Sequence, residues 1–136
     1  KQNLGVDIAI QQTVWATYLW DLRSHRYQMF GLTAGWIADY PDPQDFLDVL
    51  FHSQSRNNDT EYSNPEVDRL LEQARVEQDF EKRMALYQQA EQIILEDAPI
   101  VPLTHDADHW LTKPYVKGMI YPPAIIPKLK YVSISK

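Results

Sequence analysis

Between Asn64 and Pro99 the chain is punctuated as a pair of helices, and any fold it adopts has to be built around them. Asn64 stands where a cap belongs, Pro65 falls in the first turn, and Glu66 and Asp68 meet the positive end of the helix dipole. Val67, Leu70, Leu71 and Ala74 recur at three- and four-residue spacing, which predicts a buried stripe over residues 64–74. A second helix is expected from Asp79, with Phe80, Met84, Tyr87, Ala90, Ile93 and Ile94 on one face and Pro99 as its stop. Together they read as an antiparallel hairpin with a shared core.

Upstream, Leu4, Val6, Ile8 and Ile10 alternate with Gly5, Asp7, Ala9 and Gln11, the period of a half-buried strand over 4–11. Residues 13–26 change to helical spacing: Val14, Tyr18 and Leu22 fall four apart, with Trp15 and Leu19 beside them and Thr13 as cap. Residues 27–36 are aromatic and apolar without that spacing, so the opening reads as strand, helix, strand, a unit that normally makes neighbouring parallel strands. Pro41 and Pro43 hold Tyr40 and Asp42 out of helical geometry, and Asp42 can start a turn. A short helix follows, since Phe46, Leu47, Leu50 and Phe51 lie three to four apart, and then a polar loop over 52–63. Residues 100–105, 109–113 and 128–136 are expected strands, with Pro122, Pro123 and Pro127 in the loop between them. For 136 residues this is the pattern of one α/β unit.

Composition excludes several chemistries. The absence of cysteine rules out disulfides, thiolate zinc sites and cysteine nucleophiles. Nineteen acidic against thirteen basic side chains, a net charge of −6, argue against nucleic acid and leave cationic or zwitterionic small ligands open. No apolar run approaches the ~18 residues of a membrane span. The start has neither an initiator methionine nor the order of a signal peptide, and reads as cut from something longer. Charge is also uneven. From Tyr27 to Ser55 there is no Lys or Arg, while Asp39, Asp42, Asp45 and Asp48 all fall inside; from Lys113 onward there are lysines and no acid. Such runs are commonly solvated surface, but the first contains Trp36 at the end of an expected strand.

Four stretches carry a family resemblance: "GWIADYPDPQDFLDVLF", "RNNDTEYSNPEVDRLLEQA", "RMALYQQAEQIILEDAPIVPL" and "LTKPYVKGM", in that order over residues 35–119. In wording and spacing they resemble the solute-binding proteins of bacterial dipeptide, oligopeptide and nickel ABC importers, the extracellular solute-binding protein family 5. The resemblance implies an α/β lobe of a two-lobed periplasmic-binding-protein-like fold, with a β-α-β start, a helical hairpin and C-terminal strands. Residues 1–109 would be the ligand-binding lobe, and residues 110–136 would return toward the other lobe. It further implies that the main-chain groups of Gly35 and Ile37 hold a peptide as an added strand, that Trp36 supplies an amphipathic wall, and that Asp39 takes the ligand's α-ammonium. An arginine that meets the ligand carboxylate in some members is Thr33 here, which leaves carboxylate recognition to another group or to a different ligand. The implied protein is a periplasmic or extracellular receptor, lipid-anchored or free, monomeric, working with a membrane permease and without cofactor or catalysis.

Other readings compete for the same residues. Trp36 could be a core aromatic and Asp39 a turn residue. Asp42, Asp45 and Asp48 could suggest paired carboxylates or a cation site, although Asp45 and Asp48 fit the outer face of a helix. His105 and His109 in "HDADH" offer zinc donors without known metal spacing, and "NDT" at 58–60 matches a glycosylation acceptor by accident. A metal-chelate or other small-ligand receptor is the alternative within the family. A hydrolase using Asp39, Asp42, His105 and His109 is the alternative outside it, and it lacks a G-x-S-x-G elbow, an H-E-x-x-H pair and a phosphate loop.

Overall fold

The computed structural model describes residues 5–31, 35–104, 107, 109–121 and 129–135. The chain divides into two compact units, 1–34 and 35–136. In the first, α1 (Trp15–Arg23) forms where the helical period was read. Its cap position is taken by Val14 without a side-chain hydrogen bond, so Thr13 does not serve as the expected cap. Asp21 accepts from Arg26 Nη1 at 3.0 Å and from the Tyr27 hydroxyl at 3.3 Å, tying the outgoing chain to the helix. Tyr18 stacks on Trp15 and Tyr27. Within the expected stripe Leu22 is buried, but Val14 and Trp15 stay exposed.

The second unit is organised by α3 (Pro65–Val76) and α4 (Phe80–Asp97), the hairpin anticipated from its caps. The Asn64 side chain accepts from the N–H groups of Glu66 and Val67, and Asp79 accepts from Lys82 N, so orphan donors at both starts are satisfied within the motif. At the far end Ala98 turns into the left-handed region, φ 51°, directly before Pro99. Val67, Leu70, Leu71 and Ala74 of α3 face Tyr87, Ala90 and Ile94 of α4, all buried. Each large aliphatic side chain so buried contributes about 1.5–3 kcal/mol, and alanines at positions 74 and 90 let the helices approach closely. Met84 and Ile93 pack at the margin, whereas Phe80 is exposed and does not join the stripe.

Against this hairpin lies α2 (Gln44–Phe51), which contacts both α3 and α4 through Leu47, Leu50 and Phe51. The Asp42 carboxylate accepts the Gln44 N–H at 2.9 Å, making the turn that the prolines demand and capping α2 from outside. The 52–63 loop is held by Asn58, whose amide donates to the carbonyls of His52 and Tyr62 and whose oxygen accepts from the Tyr62 N–H and the Thr60 hydroxyl. With its amide committed and the residue 7% exposed, Asn58 is a closed structural hub and a poor glycosylation acceptor.

Strands are where the sequence reading is corrected. The described parts of 4–11 and 27–36 carry no ladder hydrogen bonds among the described residues, so α1 is not flanked by paired strands there. The described parts of 100–105 and 109–113 are likewise unpaired, and Val101, Leu103 and Leu111 are exposed. The ladder among the described residues is antiparallel: β1 (Val116–Lys117) pairs with β2 (Ser133–Ile134), Val116 opposite Ile134. Among the described residues of the expected 128–136 strand, Ser133–Ile134 is therefore strand and Leu129–Tyr131 is a 3₁₀ turn. Period two marks a segment able to pair, while the partner that makes it a strand must come from elsewhere in the structure.

Candidate functional site

Residues 35–39 lead into the turn before α2 with alternating exposure: Gly35, Ile37 and Asp39 face out, Trp36 is half-buried and Ala38 is buried. Ile37 is 79% exposed. The main-chain N–H and C=O groups of Gly35 and Ile37 make no hydrogen bond with described residues. This short run therefore has main-chain donors and acceptors without partners among the described residues, while Trp36 and Ala38 turn inward.

The anchor is Asp45, in the first turn of α2. Its Oδ2 accepts the Trp36 Nε1–H at 3.1 Å and the Asp39 main-chain N–H at 2.8 Å. At 1% exposure, Asp45 is among the most enclosed side chains of the unit. A buried carboxylate is costly unless charge-assisted donors satisfy it, and here the two donors are the indole and backbone of the 35–39 run itself. One oxygen thus fixes both the ring plane of Trp36 and the backbone at Asp39.

The other two acids of the cluster meet arginines from distant helices. Asp48 receives Arg75 Nε and Nη2, each at 2.6 Å, from α3. Asp42 receives Arg83 Nη2 at 2.6 Å on both oxygens, from α4. Burial pushes the Asp42 carboxyl up, but the bonds from Arg83 and from Gln44 N–H outweigh it and hold it below the ordinary carboxylate value. Arg83 also lies over the Tyr87 ring, 5.2 Å from its centroid. Asp45 and Asp48 consequently point inward, correcting the expectation that both lie on the outer face of their helix. A readable signal existed, since Asp48 sits three residues before the core residue Phe51 and so shares its side of the helix. Asp45 lies three residues before Asp48 and so falls near the same side, although its partners, a tryptophan ring and a backbone amide, lie outside the helix.

Of the four aspartates in the run without Lys or Arg, Asp39 alone keeps its carboxylate exposed, with no hydrogen bond or ion pair to a described residue. The neighbouring Tyr40 hydroxyl is pushed above its ordinary value, by burial first and then by Asp45, Asp42, Asp48 and Asp39. An anion without a partner among the described residues, near an indole held by Asp45 and main-chain groups likewise without described partners, can take an ammonium and an extended backbone together.

Remaining expectations land elsewhere. Thr33, His105, Asp106 and Asp108 lie outside the described residues. Among the described residues no group of three His, Asp or Glu side chains could hold a metal ion. His52, which sequence reasoning did not single out, accepts the Gln54 N–H on Nδ1 and faces Glu72 through Nε2 at 3.4 Å. A groove of about 400 Å³ beside it is lined by Asp48, His52 and Arg75, side chains already committed to one another or to α3.

No family model matches the chain. Individual proteins do. The chain is 37% identical over 122 residues to the oligopeptide-binding protein OppA of Bacillus subtilis, covering 90% of this chain and 22% of that protein. The structure of the Escherichia coli murein tripeptide binding protein MppA matches at a TM-score of 0.81 and 32% identity, over 99% of this chain and 26% of that one. Haemophilus influenzae OppA in complex with the peptide RPPGFSPFR matches at 0.73 and 33%, over 96% and 25%. The chain spans about a fifth to a quarter of the length of these relatives. The same architecture, helix-rich α/β with a small antiparallel pair, is that of a segment of the two-lobed receptors. Over nine tenths of its residues, this chain belongs to the family of solute-binding proteins of bacterial ABC importers that contains the oligopeptide-binding receptors.

Proposed function

We propose that this chain is the peptide-binding lobe of an extracytoplasmic receptor that captures free-amine peptides and feeds them to an ABC permease, performing no chemistry itself. The ligand backbone pairs with the main-chain groups of Gly35 and Ile37, its first residue packs on Trp36, and its α-ammonium meets Asp39. The single observation that carries this reading is that Asp39 has no partner among the described residues while Asp42, Asp45 and Asp48 are each given partners by the fold. Backbone pairing tolerates any side-chain sequence, and the fixed carboxylate sets register and polarity. Residues 110–136 return toward a second lobe, and closure of the two lobes on the ligand provides the state a permease can recognise. A carboxylate–histidine hydrolase finds no support, since Asp42 is held by Arg83 rather than poised as a base.

The experiment is Asp39→Ala in the complete receptor, titrated with matched free-amine and N-acetylated peptides. A lost charge-assisted bond of about 1.5–3 kcal/mol lowers affinity for the free-amine peptide roughly 10- to 150-fold while the N-acetylated peptide changes little. Equal loss for both would make the carboxylate structural and sink the assignment.

A further inference from the structure

We infer that Asp45 is a positioning residue for ligand recognition: through one buried oxygen it fixes the Trp36 indole and the Asp39 backbone, and thereby aims the Asp39 carboxylate. This inference rests on the reading of Asp39 as the amine anchor. The geometry is specific. The two donors reach the same atom, Oδ2, at 3.1 and 2.8 Å, from residues three apart on the 35–39 run, while the acceptor belongs to a helix packed on the core hairpin. The rigid element holds the recognition segment at both its aromatic and its backbone, so the site does not depend on loop stiffness. The arrangement also decides which main-chain groups can serve a ligand. Asp39 N–H is consumed by Asp45, whereas those of Gly35 and Ile37 are not taken by described residues.

The test compares Asp45→Ala, Asp45→Asn and Asp39→Ala in the complete receptor. It reads the ratio of affinities for matched free-amine and N-acetylated peptides, a quantity that a uniform loss of stability does not move while the receptor stays folded. Nitrogen-labelled tryptophan spectra follow the Trp36 indole N–H, assigned by its loss in Trp36→Phe. Asp45→Ala is expected to shift that resonance and to cut the preference for the free-amine peptide about tenfold, with Asp39 intact. Asp45→Asn keeps an amide oxygen able to accept both bonds and should restore most of the preference; it also supplies the measurement if the alanine variant does not fold. A ratio within twofold of wild type in Asp45→Ala, or in Asp45→Asn with a displaced indole signal, overturns the inference while Asp39→Ala still removes the preference. If Asp39→Ala itself leaves the ratio unchanged, the anchor assignment fails and this inference falls with it.

Discussion

Removing Arg75 should damage the protein more than removing its partner Asp48, although the two form one ion pair. The reason lies in their unequal exposure: the Asp48 side chain is 7% accessible and that of Arg75 is 40%. Arg75→Met keeps much of the aliphatic stem but strands a carboxylate with almost no water to turn to, a loss of about 3–5 kcal/mol. Asp48→Asn keeps the shape and one acceptor oxygen, and leaves a guanidinium that solvent already reaches; screening discounts that loss to about 1 kcal/mol. The double variant Asp48→Leu with Arg75→Met should recover most of the stability, because a buried pair is replaced by apolar contact of similar volume. Urea unfolding followed by far-UV circular dichroism reads all three, since α2, α3 and α4 dominate the helical signal of this unit. With a slope of about 1–3 kcal/mol per molar urea, Arg75→Met shifts the midpoint by about a molar or more and Asp48→Asn by about a third to a fifth as much. An Asp48→Asn midpoint as low as that of Arg75→Met would refute the exposure argument.

Two further outcomes rest on other contacts of the same unit. The Asp42–Arg83 pair contributes stability that is fully present above the ordinary carboxylate value of 3.8 and is lost as pH falls through Asp42's lower folded value. Acid titration of wild type and Asp42→Asn by circular dichroism should therefore show a shallower loss below about pH 4 in the variant, and parallel curves would contradict the pairing. Gly118 sits at φ +72°, and a Cβ there would meet the Tyr131 carbonyl oxygen at 2.1 Å, a backbone atom that cannot swing aside. Gly118→Ala should accordingly open the β1–β2 ladder, seen as faster amide exchange at Ser135, whose N–H donates to the Tyr115 carbonyl across the pair, and unchanged protection would show that the turn relaxes at little cost.

The helices were legible because their signals are local. Asn64, Pro65 and Asp79 mark starts, and Val67, Leu70, Leu71, Ala74, Tyr87, Ala90 and Ile94 declare a buried side at three- and four-residue spacing. The strands expected at 4–11, 27–36, 100–105 and 109–113 are unpaired among the described residues, since strand-like character states only that a segment could pair, and a partner is a matter of neighbours in space. The resemblance named the family and the residues to watch. It did not distinguish the four aspartates. In the sequence Asp39, Asp42, Asp45 and Asp48 are equivalent acids in a stretch without Lys or Arg, and two of their counter-charges lie 41 and 27 residues away on other helices. Only packing α2 against α3 and α4 brings Arg83 to Asp42 and Arg75 to Asp48, and turns Asp45 under Trp36. Electrostatic partners are chosen by distance through space, which chain order does not encode, and that choice is what leaves one carboxylate facing solvent.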